Sequence, residues 1–166
     1  MLNDILIRPA QFEDSLAIAQ LYNPYIRDTI ITFEEAEVAA QDIRQRMQAV
    51  NDAGLFWRFA EHQGDLAGYA YATAWRPRHA YRFSVEVTAY VSPEYHGKGV
   101  GSCLYDDLLP ALKKRGIHSA MGGIALPNDA SIALHEKFGF KKVAHFEAVG
   151  FKFNRWIDVG YWQLLL

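Results

Sequence analysis

One stretch, Tyr90–Ser102, constrains the fold of this chain more than any other. Before it, Val85, Val87, Ala89 and Val91 alternate with Glu86, Thr88 and Tyr90, the period of two that sends successive side chains to opposite faces of a strand. Pro93 has no N–H to offer a ladder and ends it. After it, Val100, Leu104, Leu108 and Leu112 recur at helical spacing, and Gly116 follows Lys113-Lys114-Arg115 as a stop. A strand therefore runs through Gly97, Gly99 and Gly101 into a helix. Glycines let backbone N–H groups close on an anion, and a helix N-terminus adds about half a positive charge. Lys98 adds a mobile whole charge. The stretch reads as a cradle for a phosphorylated cofactor; a merely flexible turn is the plainer alternative.

Spacing narrows the cofactor. No window fits the nucleotide loop G-x-x-x-x-G-K-[ST]. The glycines fall as G-x-G-x-G rather than G-x-G-x-x-G, behind a strand that is polar on one face, which weakens a dinucleotide reading.

The rest of the chain supplies a mixed set of elements. Ile5–Pro9 reads as a short strand, and Asp14 can cap a helix to about Tyr25 with Leu16, Ala17, Ala19 and Leu21 inward. Thr29–Glu34 is β-branched and predicted extended. A second helix covers Ala36–Val50 with Val38, Ile43, Met47 and Val50 inward. Leu55–Glu61 and Leu66–Ala72 form a hairpin about His62–Asp65. Trp75–Tyr81 is a loop rich in arginine and aromatics before the central strand. Ile117–Ile124 is the next strand, Asn128 or Asp129 opens a helix ended by Gly139, and two strands follow near Lys142–Phe151 and Trp156–Leu165. Pro110 falls inside the helix after the glycines, where it is expected to kink it. These elements predict an α/β (α+β) fold with a central mixed, twisted sheet of about six or seven strands flanked by helices.

At 166 residues one domain, 1–166, has room for a single sizeable core. Both charge signs are interspersed to a net −2, so no nucleic-acid surface is expected. Cys103 is alone, which excludes an internal disulfide and a cysteine metal site and suits a reducing compartment. His62, His79, His96, His118, His135 and His145 show no ligand spacing, so no metal is expected. No apolar run nears the roughly 20 residues of a membrane helix, and the start lacks a basic-then-apolar export signal. A cytoplasmic location without a membrane partner is expected.

Glu86 shares the polar face of its strand with Ser84, Thr88 and Tyr90, while the other face is apolar. A solvent-facing carboxylate and a general base in a cleft are both open readings. His135 lies one helical turn before Gly139, and an isolated helical histidine is either structural or catalytic.

His96-Gly97-Lys98-Gly99-Val100-Gly101 resembles the coenzyme A loop [QR]-x-x-G-x-[GA] of GNAT-type N-acetyltransferases, with His96 in place of the usual Gln or Arg. Asn128 through Phe140 is similar to the family segment N-x-x-[AS]-x-x-x-[YH]-x-x-x-G-[FY]. Ala80-Tyr81, Glu86, Val91-Ser92-Pro93, Leu126-Pro127-Asn128-Asp129, Gly150-Phe151-Lys152 and Trp156–Leu164 look like phosphinothricin or methionine sulfoximine N-acetyltransferases, from about Thr29 to the C-terminus.

The resemblance implies a GNAT acyltransferase fold, acetyl-CoA as co-substrate and direct attack by the amine of a small amino acid. It implies that Glu86 is the base and that His135 returns a proton to the departing sulfur. Ala89, Tyr90 and Val91 would contact pantetheine and acetyl through the backbone, with N–H groups near Val91 stabilising the oxyanion. Gly97, Lys98, Gly99, Val100, Gly101 and Ser102 would hold the diphosphate, with Asn128 and Lys137 also on the cofactor. Arg78, Arg76, Phe33, Val87 and Thr88 would join Glu86 around the substrate; a solvated basic loop and a core phenylalanine are the alternatives. Similar proteins are often homodimers, and the aromatic C-terminal strands could supply that interface. A peptide acetyltransferase and a non-catalytic coenzyme A sensor remain rival functions.

Overall fold

The computed structural model describes residues 4–166; residues 1–3 of the expected 1–166 unit lie outside the described residues. The strands are β1 (Leu6–Pro9), β2 (Trp57–His62), β3 (Asp65–Ala74), β4 (Ser84–Val91), β5 (Ser119–Ala125), β6 (Lys141–Lys152) and β7 (Arg155–Leu165). They make one sheet in the order β1-β2-β3-β4-β5-β7-β6. Only β4 and β5 pair in parallel; the crossover that parallel strands need runs between them and carries a helix. The α-helices are α1 (Ser15–Asp28), α2 (Ala40–Asp52), α3 (Val100–Lys114, the crossover) and α4 (Asp129–Lys137). Among the described residues no helix is long and apolar enough to cross a membrane.

The two faces of the sheet are covered differently. α3 packs on β2, β3 and β4 with Leu104, Leu108 and Leu112 at 0% exposure, each such burial worth about 1.5–3 kcal/mol. Val85 and Val87 are buried on that side. α1, with α2 behind it, covers the other face, where Tyr90 packs between Tyr22 and Tyr25 of α1. Tyr90 therefore leaves the polar stripe predicted for it and joins the core.

Further expectations are corrected. α1 continues through Pro24 to Asp28, and its buried residues are Ser15, Ile18, Ala19, Tyr22, Tyr25 and Ile26, while Leu16 is exposed. Asp14 sits at its N-cap without capping it, because its carboxylate pairs with Arg8 (2.7 and 2.8 Å) and accepts the Gln11 N–H. Thr29–Glu34 is not a strand. Thr29 Oγ1 donates to Tyr25 O (2.7 Å) and accepts the Ile31 N–H (3.1 Å), and Thr32 Oγ1 accepts the Glu34 N–H (3.2 Å), local bonds that compete with a ladder. α2 starts four residues late, since Val38 is held at both backbone groups by the Asn23 side chain (2.9 and 3.0 Å). α3 spans Pro110 as one helix; buried Leu108, Leu109 and Leu112 around the proline offset its missing hydrogen bond.

Candidate active site

The site begins where β4 and β5 part. Their pairing runs Ser84↔Ser119, Val85↔Ala120 and Glu86↔Met121, then stops. Ser84 O accepts from Trp75 N and Ser92 N donates to Ala67 O, both on the β3 side, whereas Phe83 O accepts from Ser119 N of β5. Alternation along the strand therefore turns the N–H and C=O groups of Val87, Ala89 and Val91 into the gap. The side chain of Val87 is buried on the α3 side, so only its backbone meets the opening. Thr88 lies on the Glu86 face opposite Tyr71.

At the end of β4 the loop folds back on itself. Tyr25 Oη donates to Val91 O (2.5 Å), and His96 Nε2 lies 2.8 Å from Tyr25 Oη and 3.0 Å from Val91 O. His96 thus braces the strand end. Gly97 and Gly99 adopt φ of +72° and +91°, values that favour glycine, and the space where a Gly97 Cβ would stand is open. α3 starts with no side-chain cap. Cys103 N is the first to find an acceptor, Gly99 O at 3.1 Å; the N–H groups of Val100, Gly101 and Ser102 have none among the described residues.

Two ammonium groups complete this end. Lys137 of α4 donates to Ser102 Oγ (2.8 Å), and Lys98 lies 5.6 Å from the Tyr95 ring centroid. A Cβ on Gly101 would lie 3.1 Å from Leu134 Cδ2, so α3 and α4 meet closely here. Free amides, a helix N-terminus and two cations fit a diphosphate. Asn128 caps α4 by accepting the Ser131 N–H (3.2 Å), which leaves its Nδ2 without an acceptor among the described residues.

Glu86 stands at the mouth of the gap. Its carboxylate lies over Gly123 of β5 beside the Tyr161 ring. Burial pushes Glu86 above its ordinary 4.5, while the Arg76 cation pulls the other way. Tyr161 is also pushed up, by burial first and then by Glu86. Next to them a cleft of about 330 Å³ is lined by Trp75, Arg76, Tyr81, Ser84, Phe146 and Tyr161, among others. Arg78, one of the two arginines expected around the substrate, lines a different hollow with Arg82 and Arg115; Arg76 borders both. Phe33 packs on Gly150 of β6, where a Cβ would come within 2.2 Å of its ring, and is absent from the cleft lining.

His135 is 5% exposed. Its Nδ1 donates to Ser131 O (2.7 Å) and its Nε2 accepts from the Tyr105 hydroxyl (3.1 Å), so neither ring nitrogen is free. Burial lowers its pKa below the ordinary 6.5, against the opposing Ser131 bond. The ring abuts Gly122, whose Cβ would fall 2.3 Å from Nε2. Gly122 and Gly123 are consecutive in β5, so Glu86 and His135 occupy opposite faces of the sheet at the first positions past the last β4–β5 pair.

Sequence reasoning missed Tyr161 and Tyr105, which carry no motif of their own. The signal at hand was Gly122-Gly123 inside a strand, a pattern that marks close approach by another group. Among the described residues no cluster of three or more His, Cys, Asp or Glu could hold a metal.

Comparison with known proteins agrees with this geometry. Residues 7–160 match the family model described as "Acetyltransferase (GNAT) domain". Phosphinothricin N-acetyltransferase of Streptomyces viridochromogenes is 38% identical over 95% of this chain and 85% of its own length. The L-methionine sulfoximine/L-methionine sulfone acetyltransferase of Salmonella typhimurium is 34% identical over 96% of this chain and 94% of its own. The yncA protein of Salmonella typhimurium, solved with its cofactor acetyl-CoA, superposes with a TM-score of 0.95 at 34% identity, covering 99% of this chain and 95% of that one. The chain belongs to the GNAT family and is an acetyl-CoA-dependent N-acetyltransferase.

Proposed function

We propose that this enzyme acetylates the α-amine of a small free amino acid or analogue, of the phosphinothricin or methionine sulfoximine type, in a ternary complex in the cytoplasm. The observation that carries the reading is the enclosed Glu86 carboxylate beside the Arg76 cation and the Tyr161 ring, at the point where the sheet opens. The names of the relatives support the substrate class.

Acetyl-CoA supplies the acetyl thioester. The N–H groups at Val100, Gly101 and Ser102, with Lys98 and Lys137, hold its diphosphate; Asn128 Nδ2 and the gap-facing backbone of Ala89 and Val91 take the arm. Arg76 receives the amino acid's carboxylate, a charge-assisted pairing; Arg78 flanks the same loop. Glu86 takes the proton of the attacking ammonium, for which a raised pKa suits it near neutral pH. Backbone N–H groups of Ala89 and Val91 face the negative charge that develops on the acyl oxygen. Across the sheet, His135 is the residue assigned to the departing sulfur; burial holds it neutral, and Tyr105, itself 0% exposed, donates its hydroxyl proton to Nε2 and orients the ring.

The exposed side chains of the β6–β7 hairpin fit a homodimer. Trp156 (67%), Val149 (57%) and Phe151 (51%) are open to solvent on these last strands, an apolar patch of the kind that marks an interface. Sedimentation of wild type and Trp156→Glu checks it: one dimeric and one monomeric species support the reading, and a monomeric wild type removes it.

Thiol release tests the function. Free amino acids, phosphinothricin, methionine sulfone and short peptides are each offered with acetyl-CoA. Turnover on the free analogues above peptides supports the proposal; turnover on peptides alone replaces it with peptide acetylation.

A further inference from the structure

Four arginines line a hollow of about 420 Å³ at the start of β4: Arg76, Arg78, Arg82 and Arg115, together with His79 and Phe83. No aspartate or glutamate lines it. The guanidinium–carboxylate ion pairs among the described residues belong to Arg8, Arg27, Arg46 and Arg58, so none of these four is in an ion pair, although Arg76 is felt at longer range by Glu86. The acids next to the lining in sequence are Asp52, engaged by Gln48 Nε2 (2.7 Å), and Glu86, whose carboxylate lies over Gly123 beside Tyr161.

Neutral groups hold three of the four in place. Arg115 Nε donates to Gly54 O (3.2 Å), and its Nη2 fills the space 2.7 Å from where a Gly54 Cβ would stand. Arg82 Nη1 donates to His79 O (3.2 Å) while its Cζ lies 4.3 Å from the Phe83 ring centroid. Arg76 Cζ lies 4.9 Å from the Trp75 ring centroid. These anchors restrain the forks without neutralising them, and like charges brought together repel. A chain with 19 acidic and 17 basic residues could have supplied a carboxylate here and does not.

We propose that this hollow is a binding site for a compact polyanion, a small molecule carrying two or more phosphate or carboxylate charges within a few ångströms. Planar guanidinium forks match such oxyanions bidentately, and the cavity has the size of a small-molecule site. It is separate from the diphosphate cradle, which lies at the other end of β4, roughly 23 Å along an eight-residue strand.

Calorimetric titration of the full chain, saturated with coenzyme A to fill the glycine loop, tests the proposal. The probes are inorganic tripolyphosphate and, separately, citrate, whose relative affinities tell phosphate from carboxylate chemistry. At least one is expected to bind wild type at a single site, weakening several-fold between about 50 and 200 mM salt. The R82Q/R115Q variant is expected to bind it at least about tenfold more weakly while releasing thiol at the wild-type rate without polyanion, which also reports that it folds. Should the double variant misfold, R82E, at an exposed position, carries the same expectation. Failure of both probes to bind wild type, or equal binding by the variants, overturns the site.

Discussion

Gly123 is shaped to Glu86: a Cβ on this glycine would stand 3.0 Å from Glu86 Oε1 and 3.0 Å from Tyr161 Cε1. Both neighbours would have to give by a few tenths of an ångström. A misplacement of about 1 Å at a reacting centre costs about 100-fold, so Gly123→Ala is expected to lower kcat by about tenfold. The melting temperature should barely move, because the displaced groups are side-chain ends at a cleft. Equal kcat in the variant would detach Glu86 from the chemistry.

Removing the carboxylate is the stronger test. Glu86→Gln keeps shape and loses the base, so kcat should fall about 100- to 10,000-fold. The cradle at Val100–Ser102 lies at the far end of β4 from Glu86, so acetyl-CoA affinity should stay within about twofold by calorimetry.

Arg76 sets where the acid limb of the pH–rate profile lies. Glu86 works as a base only when ionised, so activity falls as pH drops through its pKa. Burial raises that pKa above 4.5 and the Arg76 cation lowers it. Arg76→Met removes the lowering influence alone, so the limb of kcat/KM should move to higher pH. A limb that stays put or moves to lower pH contradicts the assignment. KM for the amino acid should rise in the same variant, through loss of its carboxylate partner.

The strand–glycine–helix unit was legible because each part has its own local signal: period two, left-handed glycines, period 3.6. The order of the seven strands was not, since edge placement of β6 depends on pairings far apart in sequence. Thr29–Glu34 shows the limit of propensity. Its β-branched residues suit a strand, yet the threonine hydroxyls take the local backbone bonds instead. Glu86 could be picked out as a lone carboxylate on a polar face, but Tyr161 reaches it from the last strand, and no spacing rule links the two. His135 could be placed on its helix, while the Tyr105 partner that occupies Nε2 is 30 residues away on another one. Arg76 and Arg78 lie two residues apart in one loop; both line the hollow at the start of β4, and only the turn of the loop brings Arg76 to the cleft beside Tyr161 as well.

His135 links stability to pH. Its folded pKa lies below the ordinary 6.5, so its contribution is complete above 6.5. As pH falls below that value the unfolded chain takes up a proton that the folded one refuses, and stability drops by up to about 1.4 kcal/mol per pH unit until the folded pKa is reached. His135→Phe cannot protonate. Denaturant melts between pH 7 and 5 should therefore show a smaller loss of stability for the variant than for wild type, on a base lowered by about 1–3 kcal/mol because the Tyr105 hydroxyl loses its acceptor. Parallel curves would mean that His135 titrates alike in both states.

Lys152 pins the loop that propensity misread. It is 2% exposed, and its ammonium donates to Ile26 O (2.7 Å) in the last turn of α1 and to Thr32 O (2.8 Å). Carbonyls at a helix C-terminus have no partner within the helix, and a cation there also meets the negative end of the dipole. Buried Lys152 thus ties β6 to the Thr29–Glu34 segment, which in turn holds Phe33 against Gly150. Lys152→Met keeps the apolar stem and removes all three donors, leaving two buried carbonyls unmatched at about 1–3 kcal/mol each. The melting temperature should fall by about 5–10 °C, and amide exchange should quicken across residues 29–34 while α3 stays protected. A variant that melts with wild type would show that water replaces the ammonium at no cost.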